Sequence, residues 1–251
     1  MVQQKFAVKI PQGYPLECAG PIMCSGVTLY SPLKRFNAGP GTKVAVVGIG
    51  GLGQMGIRLA KAMGCVVTAI SRSNRKEEFA RSCGADHFLA SSDSKQMLSA
   101  KGTLDLVLNT IPGTHDYDAY TKLLRPGGKH CFLGIHKDFG AALILDGICC
   151  DTTMKVSGIG NMQETQEVID LCHEKKIQPE VKVMDVSKTN WIYEQLSDND
   201  TGVRYVLDLQ TLNAETNAKC TDPAPKLGHA DPVSLCAFLC ACCSMCWSCK
   251  Y

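Results

Sequence analysis

Six consecutive residues have the types and spacing of a phosphate-binding loop. They are Gly48, Ile49, Gly50, Gly51, Leu52 and Gly53. A Gly-x-Gly-x-x-Gly segment between a strand and a helix permits a tight turn, close approach of the backbone to a pyrophosphate and close helix–strand packing. The amides at the start of the helix then face the negative charge. This spacing predicts a dinucleotide site; the alternative is a glycine turn with no ligand.

The residues after the second apolar run indicate which dinucleotide would bind. About 20 residues beyond the glycines, an NAD site carries Asp or Glu, which accepts hydrogen bonds from the ribose hydroxyls. Here the chain has Ser71, Arg72, Ser73, Asn74, Arg75 and Lys76 before the first acid, Glu77. Hydroxyls and cations suit the 2′-phosphate of NADP. The alternative is an exposed basic helix start, although cations there oppose the helix dipole. The segment therefore predicts NADP.

Alternating apolar and amphipathic segments predict the elements that position these groups. The predicted strands are Lys43–Ile49, Val66–Ser71, His87–Ala90, Leu104–Thr110, Lys129–Gly134 and Met154–Gly158. The predicted helices are Leu52–Met63, Arg75–Cys83, Asp93–Ser99, His115–Leu124 and Gln163–Lys175. Strands that alternate with helices form a parallel sheet, because parallel neighbours need crossover connections. The sequence predicts an α/β fold with a doubly wound parallel six-stranded sheet of the Rossmann type.

The flanking segments differ from this repeat and predict a second domain. Residues 1–37 contain a predicted short strand, Phe6–Ile10, and a predicted helix, Ala19–Phe36. Residues 179–209 contain a strand, a helix and a last strand, and 210–251 are expected to be a disordered linker and tail. We therefore expect residues 38–178 to be the nucleotide-binding domain.

Composition excludes several classes of protein. The 251 residues include 26 basic and 24 acidic side chains, a net charge of +2, so no nucleic-acid partner is predicted. No apolar run reaches the roughly 18–20 residues of a membrane span. The N-terminus lacks the apolar core of a secretory signal. We expect a cytoplasmic protein with no transmembrane segment.

Cysteine is abundant, with 15 residues, and its distribution divides the chain. Eight cysteines are dispersed through the first 200 residues, as expected of small core residues in a reduced protein. Six fall within residues 236–249, where two Cys-x-x-Cys pairs share Cys246. That crowded tail leaves a zinc site, palmitoylation, a partner-binding segment and an extension without a role as alternatives.

Five separated segments together resemble the zinc-dependent medium-chain alcohol dehydrogenases, and most closely the cinnamyl alcohol dehydrogenase-like branch. They are residues 24–34, 46–64, 84–86, 102–105 and 157–166. The resemblance covers about residues 5–209. It implies an NADP-dependent alcohol dehydrogenase or aldehyde reductase that transfers a hydride between NADP(H) and a small-molecule alcohol or aldehyde, with zinc as Lewis acid. It also implies that residues 1–37 and 179–209 are remnants of a GroES-like catalytic domain.

The resemblance assigns roles to further residues. It implies that Cys24 is one protein ligand of a catalytic zinc, and that Thr28 lies near the cofactor. The residues implied at the nicotinamide end are Thr110, Gly134, Ser157, Gly158 and Ile159. Family members dimerise through the edge of this sheet, so a homodimer is expected.

The family's other zinc ligands belong to a cysteine motif and a Gly-His-Glu motif, and neither motif occurs in these 251 residues. We expect a shortened member, with apolar surface left exposed in residues 1–37 and 180–209. Cys24 is alternatively a small buried thiol. His115 and His173 are predicted to be exposed helix residues, and the other histidines to lie in loops or at edges. The alternative functions are an inactive NADP(H)-binding module and an interaction protein that docks through the tail.

Overall fold

The six predicted strands form one parallel sheet in the order β3-β2-β1-β4-β5-β6. The computed structural model describes residues 3–113, 115–134, 153–198 and 203–211. The strands are β1 Lys43–Val47, β2 Val66–Ser71, β3 His87–Ala90, β4 Leu104–Asn109, β5 Leu124–Phe132 and β6 Met154–Val156. A separate parallel pair consists of β7 Val181–Asp185 and β8 Arg204–Asp208. The predicted doubly wound fold is confirmed, because the strand order reverses between β1 and β4.

Helices connect the strands of the described chain and cover the sheet. They are α1 Leu16–Pro21, α2 Val27–Arg35, α3 Gly53–Ala62, α4 Glu77–Ser82, α5 Ser94–Ser99, α6 Tyr117–Thr121, α7 Met162–Glu174 and α8 Thr189–Asp198. Short 3₁₀ turns cover Gln4–Phe6, Asn74–Lys76, Val186–Lys188 and Leu209–Thr211. The predicted helix Ala19–Phe36 corresponds to α1 and α2, which a π-helical turn, Ile22–Gly26, joins.

Strand β1 shows why this sheet is buried on both faces. Val44 and Val46 point into one apolar core, with Leu29, Met55 and Val168 among its members. Ala45 and Val47 point into the other, with Ile70 and Val107. All four residues are at most 1% exposed. Because side chains alternate along a strand, β1 contributes apolar residues to both cores, as a parallel sheet between two layers of helices requires.

The predicted strand Phe6–Ile10 is wrong. Residues 4–6 form a 3₁₀ turn, and residues 7–10 are in no strand of the described chain. The Lys9 amide donates to Gln166 Oε1 at 2.8 Å, and Gln166 Nε2 donates to the Lys9 carbonyl at 2.9 Å. A side chain of α7 therefore satisfies the extended backbone that a neighbouring strand would otherwise have satisfied.

The boundaries around β5 also differ from the prediction. β5 begins at Leu124 and includes the expected turn 125–128, and its register with β4 shifts near Leu106. Arg125 forms an ion pair with Asp105, which draws this irregular segment onto β4. Helix α6 is shorter than predicted at both ends. Asp116 accepts from the Ala119 amide at 3.2 Å and so caps its start, and Leu124, its predicted last residue, is the first residue of β5.

The dispersed cysteines are core residues, as predicted, wherever the structure describes them. Six are buried and free of disulfides: Cys18, Cys24, Cys65, Cys83, Cys131 and Cys172. The cysteine-rich tail and most of residues 210–251 lie outside the described residues. No helix in the described ranges has the length and apolar character to cross a membrane.

We expect Leu108→Ala to lower the free energy of unfolding by about 2–5 kcal/mol, because the substitution leaves a cavity in the core. Leu108 lies in β4 and is 0% exposed. Leu98→Ala is the matched control, since Leu98 is 70% exposed on α5 and its loss should change stability by less than about 0.5 kcal/mol. Urea unfolding of the two variants measures the difference. Equal losses would contradict this placement of the core.

Candidate dinucleotide site

The glycine-rich loop follows β1 and leads into α3, and its backbone permits side chains at neither end. Gly48 has a φ of +87°, a left-handed conformation that favours glycine. A Cβ on Gly53 would lie 1.8 Å from the Gly48 carbonyl oxygen. The first and last glycines are therefore in contact, and α3 begins directly against the end of β1 as the spacing predicts.

Thr110, the residue after β4, hydrogen-bonds to the main chain where the glycine-rich loop begins. Its Oγ1 lies 2.9 Å from the Val47 carbonyl oxygen and 3.0 Å from that of Gly48, and its hydroxyl donates towards both. A Cβ on Gly48 would lie 2.8 Å from the same Oγ1. The structure thus brings together two residues that the sequence predicted for opposite ends of a cofactor. Thr110 holds the turn at which β1 ends.

The basic segment at the end of β2 is joined to the glycine-rich loop by a hydrogen bond. Lys76 Nζ donates to the Ile49 carbonyl at 2.8 Å. Arg72 and Arg75 are exposed, whereas Ser71 and Ser73 are half-buried. Since β1 and β2 are neighbours in the sheet, the predicted pyrophosphate loop and the predicted 2′-phosphate segment lie side by side.

The residues expected at the nicotinamide end lie at the ends of β5 and β6. A Cβ on Gly134 would lie 2.2 Å from the Ile111 carbonyl oxygen, so Gly134 packs directly on the segment after β4. The Ser157 amide donates to the Phe132 carbonyl at 3.1 Å, and Ser157 is 8% exposed. Ile159 is 47% exposed. These groups share the carboxyl edge of the sheet, where an open α/β sheet binds its ligands.

Thr28 approaches this edge through its helix. A Cβ on Gly160 would lie 2.6 Å from Val27 Cγ2, so the loop that carries Gly158 and Ile159 packs against the start of α2. The Thr28 hydroxyl donates to the Cys24 carbonyl at 2.8 Å, inside the helix. The loop that was expected at the nicotinamide end therefore packs on Val27, the residue before Thr28.

Arg204 is a residue of this site that the sequence did not indicate. It begins β8, far along the chain, and is 7% exposed. A Cβ on Gly51 would lie 2.8 Å from Arg204 Nε, so the guanidinium lies against the glycine-rich loop. Gln54 Oε1 accepts from the Glu180 amide at 3.2 Å, and the Glu180 carbonyl accepts from the Arg204 amide at 2.8 Å. These contacts fix the start of β8 to the start of α3.

A buried polar cluster next to the nicotinamide end was also missed. Asn109 Nδ2 lies 2.8 Å from His115 Nε2 and 3.1 Å from His130 Nε2. Asn109 and His130 are 0% exposed. The predicted loop or edge position of His130 is wrong, because it lies in β5 between β4 and β6. The predicted exposed helical position of His115 is also wrong: it is half-buried and precedes α6.

The remaining histidines agree with the prediction where they are described. His173 is exposed on α7, and His87 is exposed on the edge strand β3. His136 and His229 lie outside the described residues. The sequence could not have indicated the buried cluster, because a lone His or Asn in an apolar run carries no periodic signature of its partner.

Comparison with known proteins identifies the family. Residues 51–174 match the family model described as zinc-binding dehydrogenase. A probable cinnamyl alcohol dehydrogenase 7/8 from Picea abies is 40% identical over 220 residues, which are 86% of this chain and 61% of that protein. The solved structure of a cinnamyl alcohol dehydrogenase from Sorghum bicolor matches with a TM-score of 0.72 and 33% identity, over 84% of this chain and 61% of the other.

The chain belongs to the zinc-type medium-chain alcohol dehydrogenases. A cinnamyl alcohol dehydrogenase from Helicobacter pylori, solved in complex with NADP(H), matches with a TM-score of 0.68 and 33% identity, over 82% of this chain and 59% of the other. The resemblance found in the sequence is confirmed. The chain spans about 61% of the length of the curated relatives that it matches.

The described part of this chain does not fit a catalytic zinc. Such a site needs three protein ligands and an open position. Within the described residues, no three His, Cys, Asp or Glu side chains gather closely enough to hold a metal ion. Cys24 is 3% exposed, in the π-helical turn. Its assignment as a zinc ligand therefore stays a prediction, and we derive no catalytic step through zinc.

We expect Gly53→Ala to destabilise the chain by about 1–3 kcal/mol, because the new Cβ collides with the Gly48 carbonyl and must displace backbone. Gly39→Ala is the matched control, since a Cβ there meets nothing within 4 Å. Its stability should change by less than about 0.5 kcal/mol. Urea unfolding measures both variants. If both unfolded like the unsubstituted chain, the contact between Gly48 and Gly53 would be refuted.

Proposed function

We propose that this chain binds NADP(H) along the carboxyl edge of its six-stranded sheet and serves hydride transfer between NADP(H) and an alcohol or aldehyde. The hydrogen bond from Lys76 to the Ile49 carbonyl carries the proposal. It joins a loop suited to a pyrophosphate to a segment suited to a 2′-phosphate, and NADP has both groups.

The glycine-rich loop and the start of α3 would hold the pyrophosphate. The amides at the N-terminus of α3 offer hydrogen-bond donors and the positive end of the helix dipole. Arg204 adds a cation beside Gly51. A Cβ at Gly48 or Gly53 would collide with neighbouring atoms, so the backbone of the loop stays close-packed.

The segment from Ser71 to Lys76 would hold the 2′-phosphate. Two exposed guanidinium groups, Arg72 and Arg75, lie beside two half-buried hydroxyl groups. Arginine presents several donors to phosphate oxygens, and hydroxyl groups donate one hydrogen bond each. The absence of Asp and Glu from residues 71–76 removes the groups that would repel a 2′-phosphate and favour NAD.

Groups at the ends of β4, β5 and β6 would orient the nicotinamide. Bound NADPH supplies the hydride. Gly134 and Gly158 carry no side chains beyond the ends of β5 and β6. Main-chain donors and acceptors near Ser157 and Ile159 suit a carboxamide. Thr110 would hold the loop in place, because its hydroxyl donates towards the Val47 and Gly48 carbonyls.

A second candidate function is an NADP(H)-binding module without turnover of its own. One observation favours it: the described residues supply no group of three metal ligands. Zinc content and aldehyde-dependent NADPH oxidation, measured on one preparation, distinguish the two functions. The substrate class, a small-molecule alcohol or aldehyde, is common to the names of the relatives and is proposed at that level.

A homodimer and a cytoplasmic location belong to the same proposal. Ten large apolar side chains of the described residues are exposed by 36% or more. Seven of them lie in the two flanking segments: Phe6, Leu16, Met23, Val183, Trp191, Tyr193 and Leu209. Exposed apolar surface drives association. In the described sheet, β6 is an edge strand and offers a second surface for pairing.

We expect the chain to bind NADPH more tightly than NADH, because only NADPH engages the basic segment. The double variant Arg72→Ala/Arg75→Ala should weaken NADPH binding at least about tenfold, since a hydrogen bond to a charged group is worth about 1.5–3 kcal/mol. NADH binding should stay unchanged. Lys101→Ala, at an exposed lysine outside the segment, is the matched control. Fluorescence titration measures the three proteins; an equal loss for both nucleotides would refute the assignment of the 2′-phosphate segment.

We expect the purified chain to bind NADPH, and aldehyde-dependent NADPH oxidation on the same preparation decides between the two candidate functions. Turnover of an aldehyde would establish the enzyme. A chain that binds NADPH without zinc and without turnover would establish the binding module instead. Binding of neither nucleotide would refute the function proposed for this site.

A further inference from the structure

The Asn109 carboxamide lies between two histidines at the end of β4. Its Nδ2 approaches His115 Nε2 at 2.8 Å and His130 Nε2 at 3.1 Å. The Thr121 hydroxyl approaches His130 Nδ1 at 2.8 Å. We call these four side chains the Asn109 cluster. None of them was assigned to cofactor binding above, yet the cluster adjoins the segment that carries Thr110.

The hydrogen-bond partners fix where the protons lie. The Gly113 carbonyl can only accept, so His115 Nδ1, 2.7 Å away, carries a proton and donates it. Thr121 donates its proton to the Tyr117 carbonyl at 3.0 Å, so its oxygen accepts from His130 Nδ1. Both Nε2 atoms are then acceptors, and each receives one of the two Asn109 Nδ2 protons. The cluster is complete only when both imidazoles are neutral.

The surroundings favour the neutral rings. Burial, with a smaller contribution from the charge of His115, lowers the pKa of His130 to about 3. Burial also lowers the pKa of His115, opposed by the Gly113 carbonyl and the Asp116 charge. The other groups that face His115 in the described chain are the rings of Tyr117 and Tyr120 on α6 and His130 on β5. Of all the groups named here that face His115, Asp116 is the acidic one.

The same asparagine holds the segment after β4 in place. Its side-chain Oδ1 accepts from the Ile111 amide at 3.2 Å. Its main-chain carbonyl accepts from the Leu133 and Gly134 amides at 2.9 and 3.2 Å. Ile111 in turn presents its carbonyl to Gly134. Residues 109–113 therefore contact both the glycine-rich loop, through Thr110, and the end of β5.

We propose that Asn109 and His115 are positioning residues of the cofactor site: their hydrogen bond holds residues 110–113 against the glycine-rich loop and Gly134, and protonation of His115 releases the segment. The inference rests on the proposed binding of NADP(H). A proton on His115 Nε2 points at the Asn109 Nδ2 protons, so two donors face each other and the hydrogen bond is lost. Acid thereby opens the part of the site that receives the nicotinamide.

The direction of the pH effect follows from the lowered pKa. A released His115 titrates near its ordinary value of about 6.5, whereas the held ring resists protonation. The released state therefore binds more protons, and falling pH favours it by at most about tenfold for each pH unit below 6.5. The held segment is complete above that value and is lost progressively as the pH falls below it.

The test compares NADP⁺ affinity at pH 7.5 and 5.5 in three substitutions. His115→Ala removes the acceptor and should weaken binding at least threefold at pH 7.5. His115→Gln keeps an acceptor that does not titrate, so it should recover most of that loss and lose at least threefold less affinity on acidification than the unsubstituted chain. His173→Gln makes the same change at an exposed histidine on α7 and should follow the unsubstituted chain. The 2′-phosphate titrates near pH 6 in every sample, so the differences isolate His115.

Imidazole ¹H–¹⁵N spectra of the cofactor-free chain separate this inference from the proposed function. His115→Gln and His130→Gln assign the two rings, and both should be neutral Nδ1–H tautomers at pH 7.5. An Nε2–H tautomer or a charged ring at His115 would overturn the inference. So would an equal acid loss in His115→Gln and the unsubstituted chain, which would leave the proposed function intact. If NADP⁺ does not bind while both tautomers are as expected, the proposed function fails and the positioning role fails with it, although the cluster stands.

Discussion

The Gly48 carbonyl group is the point at which three elements of this fold are locked together. This carbonyl directly follows β1, and its oxygen accepts from the hydroxyl of Thr110, the residue after β4. A Cβ on Gly53, the first residue of α3, would lie only 1.8 Å from the same oxygen. If that oxygen moved, the start of α3 would no longer pack directly against the end of β1. The glycines are therefore needed less for flexibility than for a contact that no side chain permits.

The sheet was predictable because its strands are short apolar runs and its connections are helical. Two of the boundaries that failed have a tertiary cause. Residues 7–10 look like a strand, yet the Gln166 side chain satisfies the Lys9 backbone. β5 starts early because Arg125 pairs with Asp105 across a register shift. Arg204 reaches the glycine-rich loop from more than 150 residues along the chain, and no local pattern encodes such a contact.

The buried polar groups show a different constraint on the same edge of the sheet. An unsatisfied polar group in a protein interior costs about 1–3 kcal/mol. Asn109 and His130 are nevertheless fully buried, and a leucine in either place would avoid that risk. Asn109 uses both amide protons and its carbonyl oxygen within one short segment. This completeness makes the segment after β4 rigid, and rigidity is what a cleft needs when it binds a ligand largely through main-chain groups.

The contacts of Arg204 bear on how the chain is divided. The sequence predicted a nucleotide-binding domain over residues 38–178, with 179–209 in a second domain. Gln54 accepts from the Glu180 amide, and the Glu180 carbonyl accepts from the Arg204 amide. The start of α3 and the start of β8 are thus tied by consecutive hydrogen bonds, and the guanidinium beside Gly51 belongs to that tie. One cation beside the glycine-rich loop therefore comes from outside the predicted domain. A phosphate bound there would hold β7 and β8 against the larger sheet, so cofactor binding and the order of the second sheet would reinforce each other.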